Sequence, residues 1–242
     1  MLKVDRDINI MVQDAFSGSK WAIGDVHGCP KTLKALLNKL NLKKIDRVFF
    51  LGDYINKGPD SKGVLDILIK LQMRGYKITC IIGNNDQKLL DAVKFKAYQK
   101  IFEDKYPETL QSFGVKSVLD IPHKYLMFIR SMPKSVELKK HVLVHGDAIP
   151  MDIGERKLLQ GHVPTPLLDI RAGLKGKLIK LDGGITKDGM GLLIAYNLTA
   201  QKVVKQKNID GFKRDSNESI AETKQHERSK QAGTEIGYSW QP

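Results

Sequence analysis

Five short apolar runs in this chain end where a glycine meets a side chain able to hold a hard cation. Trp21-Ala22-Ile23 leads into Gly24-Asp25-Val26-His27-Gly28, and Val48-Phe49-Phe50-Leu51 leads into Gly52-Asp53. Ile78-Thr79-Cys80-Ile81-Ile82 leads into Gly83-Asn84-Asn85-Asp86. Val142-Leu143-Val144 meets His145-Gly146, and Leu158-Leu159-Gln160 meets Gly161-His162. Runs this short, rich in β-branched and aromatic residues, read as buried strands. In an open α/β sheet, ligands bind outside the carboxyl ends of the strands. One such histidine alone is better read as a satisfied core residue. Asp25, His27, Asp53, Asn84, His145 and His162 together read as a metal centre. The mixture of oxygen and imidazole donors suits Mn, Fe or Zn rather than Ca or Mg, with Mn placed first.

The rest of the chain fits that frame. Pro30 opens a helix with Leu33, Leu36, Leu37 and Leu40 at helical spacing, and a second runs from about Ser61 to Arg74 until Gly75 stops it. A third starts near Gln87, and residues 100–134 read as small helical pieces punctuated by Pro107, Gly114, Pro122 and Pro133. Strands are then expected at 135–139, 141–145, 157–161, 178–182, 191–198 and 202–206. Repeated βα units followed by consecutive strands predict an α/β fold: a two-sheet β-sandwich flanked by helices, four layers deep as α/β/β/α. Residues 1–20 read as an N-terminal extension with one short strand around Ile8 to Val12, residues 21–206 as the domain, and 207–242 as a polar, mobile tail.

Composition removes several classes of protein. No apolar run approaches the ~20 residues of a membrane span, and the first residues lack the apolar core of a signal peptide, so a cytoplasmic location is expected. Cys29 and Cys80 give no disulfide framework and suit packing. The net charge is +13, yet the last thirty-six residues hold six basic and six acidic side chains, so the excess lies in residues 1–206. A basic domain favours anionic substrates. Lysines scattered over helices equally describe a solvated surface. No basic stripe interleaved with aromatics is present, so nucleic acid is not indicated as a partner.

The five junctions resemble GDxHG, GDxxDRG, GNHE, a later HAG and a later GH, the signature of the phosphoprotein phosphatase branch of the calcineurin-like metallophosphoesterases. The resemblance runs from about Trp21 to about Val204. It implies that Asp25 and His27 hold one metal, that Asp53 bridges two, and that Asn84, His145 and His162 complete the second. It also implies in-line attack on phosphorus by a metal-activated hydroxide.

Departures fall where the chemistry happens. Asn56-Lys57 stands where the family has Asp-Arg, and Asn85-Asp86 where it has His-Glu. The resemblance makes that histidine, paired with that aspartate, the general acid for the leaving oxygen. An amide does not titrate near neutral pH, so Asn56 and Asn85 imply a loss of roughly 10²–10⁴-fold in acid catalysis. Lys57 still neutralises a phosphate oxygen, as a point charge without the arginine fork. The sixteen residues between His145 and His162 form a shorter interval than is usual in the family, and Arg156 is the arginine within it. Three readings stand. The first is a protein phosphatase-like phosphoesterase acting on a phosphorylated protein or a small phosphoester, with weakened acid catalysis. The second is a dinucleoside polyphosphate or nucleotide hydrolase, whose anhydride leaving group needs little protonation. The third is a pseudophosphatase that binds phosphorylated partners.

Overall fold

Two five-stranded sheets, counted among the described residues, face each other across an apolar layer. The computed structural model describes residues 9–11, 17–146, 152–187 and 190–211. The first sheet runs β10-β9-β2-β3-β4, where β2 is Lys20–Ile23, β3 Arg47–Phe50, β4 Lys77–Cys80, β9 Leu192–Asn197 and β10 Lys202–Lys207. Strands β2, β3 and β4 are parallel, and β9 joins β2 antiparallel. The second sheet runs β1-β5-β6-β7-β8, where β1 is Asn9–Met11, β5 Ser135–Glu137, β6 His141–Val144, β7 Lys157–Gln160 and β8 Leu178–Lys180. Here β6, β7 and β8 are parallel.

Alternation along the strands builds two cores. Trp21, Ile23, Val48, Phe50, Ile78 and Cys80 point to one face and pack beneath helices. Ala22 and Phe49 point to the other, where Ile194 and Tyr196 meet Val136, Leu143, Leu159 and Ile179 of the second sheet. Because side chains alternate at period two, continuous apolar runs fill both layers, as a sheet covered on both faces requires. Helices α1 (Pro30–Leu40), α2 (Ser61–Met73), α3 (Asn84–Lys94), α4 (Lys96–Lys105), α5 (Pro107–Phe113) and α6 (His123–Arg130) form the cover of the first sheet. Helix α7 (Leu167–Gly173) flanks β8 of the second. The expected α/β/β/α order is present, with outer layers of unequal size.

Strands stop short of the residues that carry chemistry. The run expected to 51 ends at Phe50, that to 82 at Cys80, that to 145 at Val144, and that to 161 at Gln160. Beyond those points the chain turns out of the ladder. Gly52 has φ +104° and Asp53 φ +52°, conformations a strand does not contain. Helix α3 begins three residues earlier than its periodicity suggests, since Asp86 at its third position accepts the Gly83 N–H and caps the first turn. Asn84 and Asn85 therefore stand on the opening turn of a helix.

Both termini of the described fold are built in. Strand β1 pairs parallel with β5, so part of the expected extension belongs to the second sheet; Ile8 and Val12 lie outside the described residues. At the other end the folded unit runs to Gly211 rather than 206. The tail expected to be mobile falls mostly on 212–242, outside the described residues. Helix α1 has Cys29 at its N-cap with no side-chain capping bond. The Asp210 carboxylate supplies the cap instead, accepting from Lys31 N at 3.0 Å, Thr32 N at 2.9 Å and Thr32 Oγ1 at 2.6 Å. An N-cap of this kind is worth about 0.5–2 kcal/mol. Asp210→Ala is therefore expected to lower unfolding free energy by about 1 kcal/mol in urea at unchanged m, with Asp210→Asn close to wild type. An unshifted midpoint for the alanine variant would show that this contact contributes nothing.

Candidate metal centre and active site

Three loops at the strand ends are fastened to one another by backbone bonds. Asp53 O accepts from Val26 N at 3.1 Å and His27 N at 2.9 Å, and Tyr54 O accepts from Gly28 N at 2.8 Å. The third loop is tied in by a carboxylate. Asp86 Oδ2 accepts from Asp53 N and Gly83 N, both at 2.9 Å, and Oδ1 accepts from Tyr54 N at 3.0 Å. Such approach leaves no room for a side chain at position 83, where a Cβ would lie 2.2 Å from Asp53 N. Glycine there is a packing requirement.

On this frame the six expected ligands face one another. Asp53 lies at the middle, with His27 Nε2 at 3.6 Å from Oδ2 and His145 Nε2 at 3.3 Å from Oδ1. Asp25 Oδ2 is 3.8 Å from His27 Nε2. His145 Nδ1 lies 2.8 Å from Leu51 O and His27 Nδ1 lies 3.3 Å from Ile55 O. A carbonyl only accepts, so both rings carry their proton on Nδ1 and present the Nε2 lone pair inward. Asp25, His27 and Asp53 form one group able to hold a cation, and Asp53, His145 and His162 form another.

Asn84 supplies the test of fit. One end of its amide lies 3.0 Å from both His145 Nε2 and His162 Nδ1, and the other faces Lys88 Nζ. Oxygen inward sets an acceptor against the Nε2 lone pair and a donor against Lys88, an orientation that a cation among the inward donors would favour. The reversed amide would instead donate to both imidazoles and to Asp53, with its oxygen accepting from Lys88 Nζ at 3.2 Å. Oxygen inward, Asn84, Asp53, His145 and His162 form a donor set for one divalent ion.

Charge leads to the same conclusion. Asp25, Asp53, Asp86 and Asp182 are at most 2% exposed. Burial, followed by the charges of Asp182 and Asp53, pushes the Asp25 carboxyl well above its ordinary value. Burial also raises Asp182 and Asp86, although three amide donors pull Asp86 back toward the anion. Burial opposes ionisation of Asp53 too, but His27, His145 and the bonds from Asn85 hold it below the usual range. Burial, then the Lys57 charge, lowers His27 to about 3, and burial with His145 lowers His162, which keeps the imidazoles neutral as ligands must be. Several carboxylates out of water cost several kcal/mol each unless compensated. Divalent cations compensate them.

The residues at the expected catalytic positions are wired into the interior. Asn85 donates through its backbone N to Asp53 Oδ1 at 2.9 Å and through Nδ2 to Oδ2 at 2.6 Å. Its oxygen accepts from Asn56 Nδ2 at 3.2 Å, and Asn56 Oδ1 accepts from Thr109 Oγ1 at 2.8 Å. Both amides are buried. Lys57 Nζ reaches to 3.4 Å from His27 Nε2, at the edge of the first donor group. Arg156 does not join them. It precedes β7, at the opposite end from His162, and pairs with Glu137 at 2.6 Å. His141 lies at the start of β6, four residues before His145, and His123 opens α6; His226 lies outside the described residues.

Sequence reasoning missed Asp182. It follows β8, accepts Gly184 N at 2.8 Å, and its charge is felt by Asp25. Leu181-Asp182-Gly183-Gly184 after an apolar run repeats the strand-then-Asp signature of the other junctions, so the signal was present.

The calcineurin-like phosphoesterase family matches residues 20–200. The chain belongs to that family. Among curated relatives it is similar to a symmetrical bis(5'-nucleosyl)-tetraphosphatase of Wigglesworthia glossinidia brevipalpis, 32% identical over 136 residues, covering 54% of this chain and 46% of the relative. A protein of the same name from Pseudomonas putida (strain W619) is 28% identical over 155 residues, covering 62% and 49%. The chain thus spans about half the length of the curated relatives it matches. A solved structure provisionally described as a diadenosine tetraphosphatase superposes with a TM-score of 0.63 at 20% identity, covering 84% of this chain and 99% of that one. A serine/threonine phosphatase from Saccharomyces cerevisiae gives 0.55 at 13%, covering 86% and 85%. These likenesses establish the fold.

Membership of the calcineurin-like phosphoesterases and the inward-facing donors yield one expectation. Protein loaded with Mn should carry up to two metal ions per chain by elemental analysis and melt higher than the chelated form. Asp53→Asn removes the shared anionic oxygen and should lose both effects. A variant that still binds two ions would remove Asp53 from the bridging role.

Proposed function

We propose that this chain is a divalent-metal-dependent phosphoesterase that cleaves phosphoanhydrides of nucleotides, with dinucleoside polyphosphates as the substrate class. The observation carrying the reading is the state of Asn85. Its backbone N–H and one N–H of its side-chain amide go to Asp53, and an amide does not titrate near neutral pH, so the dyad position offers no general acid. A leaving alkoxide needs a proton. A nucleoside diphosphate leaving from an anhydride, being a weak base, does not. The curated relatives named above are nucleotide hydrolases, which supports moving the expected substrate from a phosphoprotein to a dinucleoside polyphosphate.

Asp25, His27, Asp53, Asn84, His145 and His162 would hold divalent ions, Mn first, which would supply Lewis acidity and an activated water. The protein's own part is geometric and electrostatic. Leu51 O and Ile55 O fix the tautomers of His145 and His27, Asn85 holds the Asp53 carboxylate in one orientation, and Lys57 brings positive charge to the rim where a phosphate oxygen gains charge. Thr109 and Ser61 lock Asn56 behind Asn85. A second reading, a module that binds phosphorylated ligands without turnover, draws on the same buried amide pair.

Graded leaving groups separate these readings. Mn-loaded protein should cleave diadenosine tetraphosphate and nitrophenyl phosphate, and a phosphoserine peptide slower by roughly 10²-fold or more. Asn56→Asp with Asn85→His restores a carboxylate-held acid and should raise the alkyl ester rate more than the aryl rate, with neither single change reproducing the gain. Equal kcat/KM for the peptide and the anhydride in wild type would defeat the anhydride reading. No turnover of any substrate, even in the double variant, would favour the binding module.

A further inference from the structure

One face of α4 is turned to the core only in part. Tyr98, Ile101, Phe102 and Lys105 stand at i, i+3, i+4 and i+7, one stripe of a helix. Phe102 and Tyr106 are buried, 5.0 Å apart between ring centroids, whereas Tyr98 is 53% and Ile101 61% exposed. The stripe and the facing side of α3 enclose a groove of about 300 Å³ whose rim includes Lys88, Asp91 and Lys105. That volume is at the lower end for small-molecule sites and fits one base with its ribose. Phe95 braces Tyr98 edge to face at 6.1 Å.

Lys88 links the groove to the candidate metal centre. Lys88 lies one helical turn after Asn84 on α3, about 6 Å along the axis, and its Nζ is 3.2 Å from the outer end of the Asn84 amide. An apolar, aromatic floor with Lys88 and Lys105 on its rim, the former touching the Asn84 amide, matches a ligand that is flat and apolar at one end and anionic at the other. We propose that the α3–α4 groove is the nucleoside subsite of this centre, with a nucleotide base stacked on Tyr98 against Ile101 and its phosphates led past Lys88 to Asn84 and Asp53. The assignment rests on the reading of the centre as a nucleotide anhydride hydrolase. It adds where the base is held. The groove has the size of a nucleoside rather than of a peptide, and Lys88 is common to its rim and to the surroundings of Asn84.

Binding tests it without turnover. Mn-loaded wild type, Tyr98→Ala, Tyr98→Phe and Ile101→Ser are titrated calorimetrically with ADP and with inorganic pyrophosphate. Wild type should bind ADP more tightly than pyrophosphate. Tyr98→Ala should weaken ADP about tenfold or more, the scale of one lost base stack, and leave pyrophosphate unchanged; Tyr98→Phe, which keeps the ring, should bind ADP as wild type does. Tyr98 and Ile101 are more than half exposed, so the variants should melt as wild type does. Equal affinities for ADP and pyrophosphate in wild type, or ADP binding indifferent to both Tyr98→Ala and Ile101→Ser, overturns the subsite. So does conversion of a dimer to a monomer by Ile101→Ser with ADP binding intact, which would give the face to a second copy of the chain. Tyr98-dependent ADP binding without cleavage of diadenosine tetraphosphate upholds the subsite and overturns the reaction instead.

Discussion

The centre depends on a carboxylate that is not expected to touch a metal. Asp86 receives three backbone N–H groups, two from the loop that carries Asp53 and one from the loop that carries Asn84. Each is a charge-assisted bond when the group is ionised, and hydrogen bonds to charged groups contribute about 1.5–3 kcal/mol. The three together fix the separation of the two loops to within a bond length. Without them Asp53 and Asn84 would sit on independent turns, and a shared donor set would have to be assembled by the ion itself. Its third bond caps α3, so the helix that displays Asn84 and Asn85 starts where the loops are clamped. One side chain thereby couples secondary structure to site geometry.

That coupling explains which parts were legible in the sequence. The strands and helices follow from patterns of two and of three or four, and these patterns survive because both faces of each sheet are covered. The six candidate ligand positions could be singled out because they cluster where apolar runs meet glycines, and the fold brings their side chains together. Asp182 escapes notice because the strand expected over 178–182 runs through it and no family motif marks that junction. The start of α3 was misplaced because apolar periodicity begins only after its capped first turn, which is polar throughout. Asp210 could not be anticipated, since its partners Lys31 and Thr32 lie far away in the chain and no local pattern links them.

The substitutions at Asn56 and Asn85 are coupled in the structure as well as in the alignment of motifs. Each amide supplies what the other lacks: Asn56 donates to Asn85, and Asn85 donates on to Asp53. Restoring a charge at one position only would place it in a buried network built for neutral groups, where an unmatched charge is costly. The pair is therefore stable as a pair. Its consequence is chemical, since a network that ends on Asp53 orders the metal ligands but sends no proton outward.

On the proposed reading, an enzyme without a general acid must obtain selectivity and rate elsewhere. The remaining means are charge stabilisation at phosphorus, which Lys57 and bound metal would provide, and binding energy from the part of the substrate that does not react. The second means requires a surface beside the centre that can hold such a part. A simple phosphoserine offers little to grip, and its alkoxide leaves poorly. A nucleotide offers a base, a ribose and a stable leaving diphosphate together. The groove between α3 and α4, with Lys88 on its rim beside Asn84 and Tyr98 and Ile101 exposed, is where that binding energy would be gained. On the proposed reading the absent acid selects the substrate through the stability of what leaves, and the groove, assigned on that same reading, adds what would stay bound.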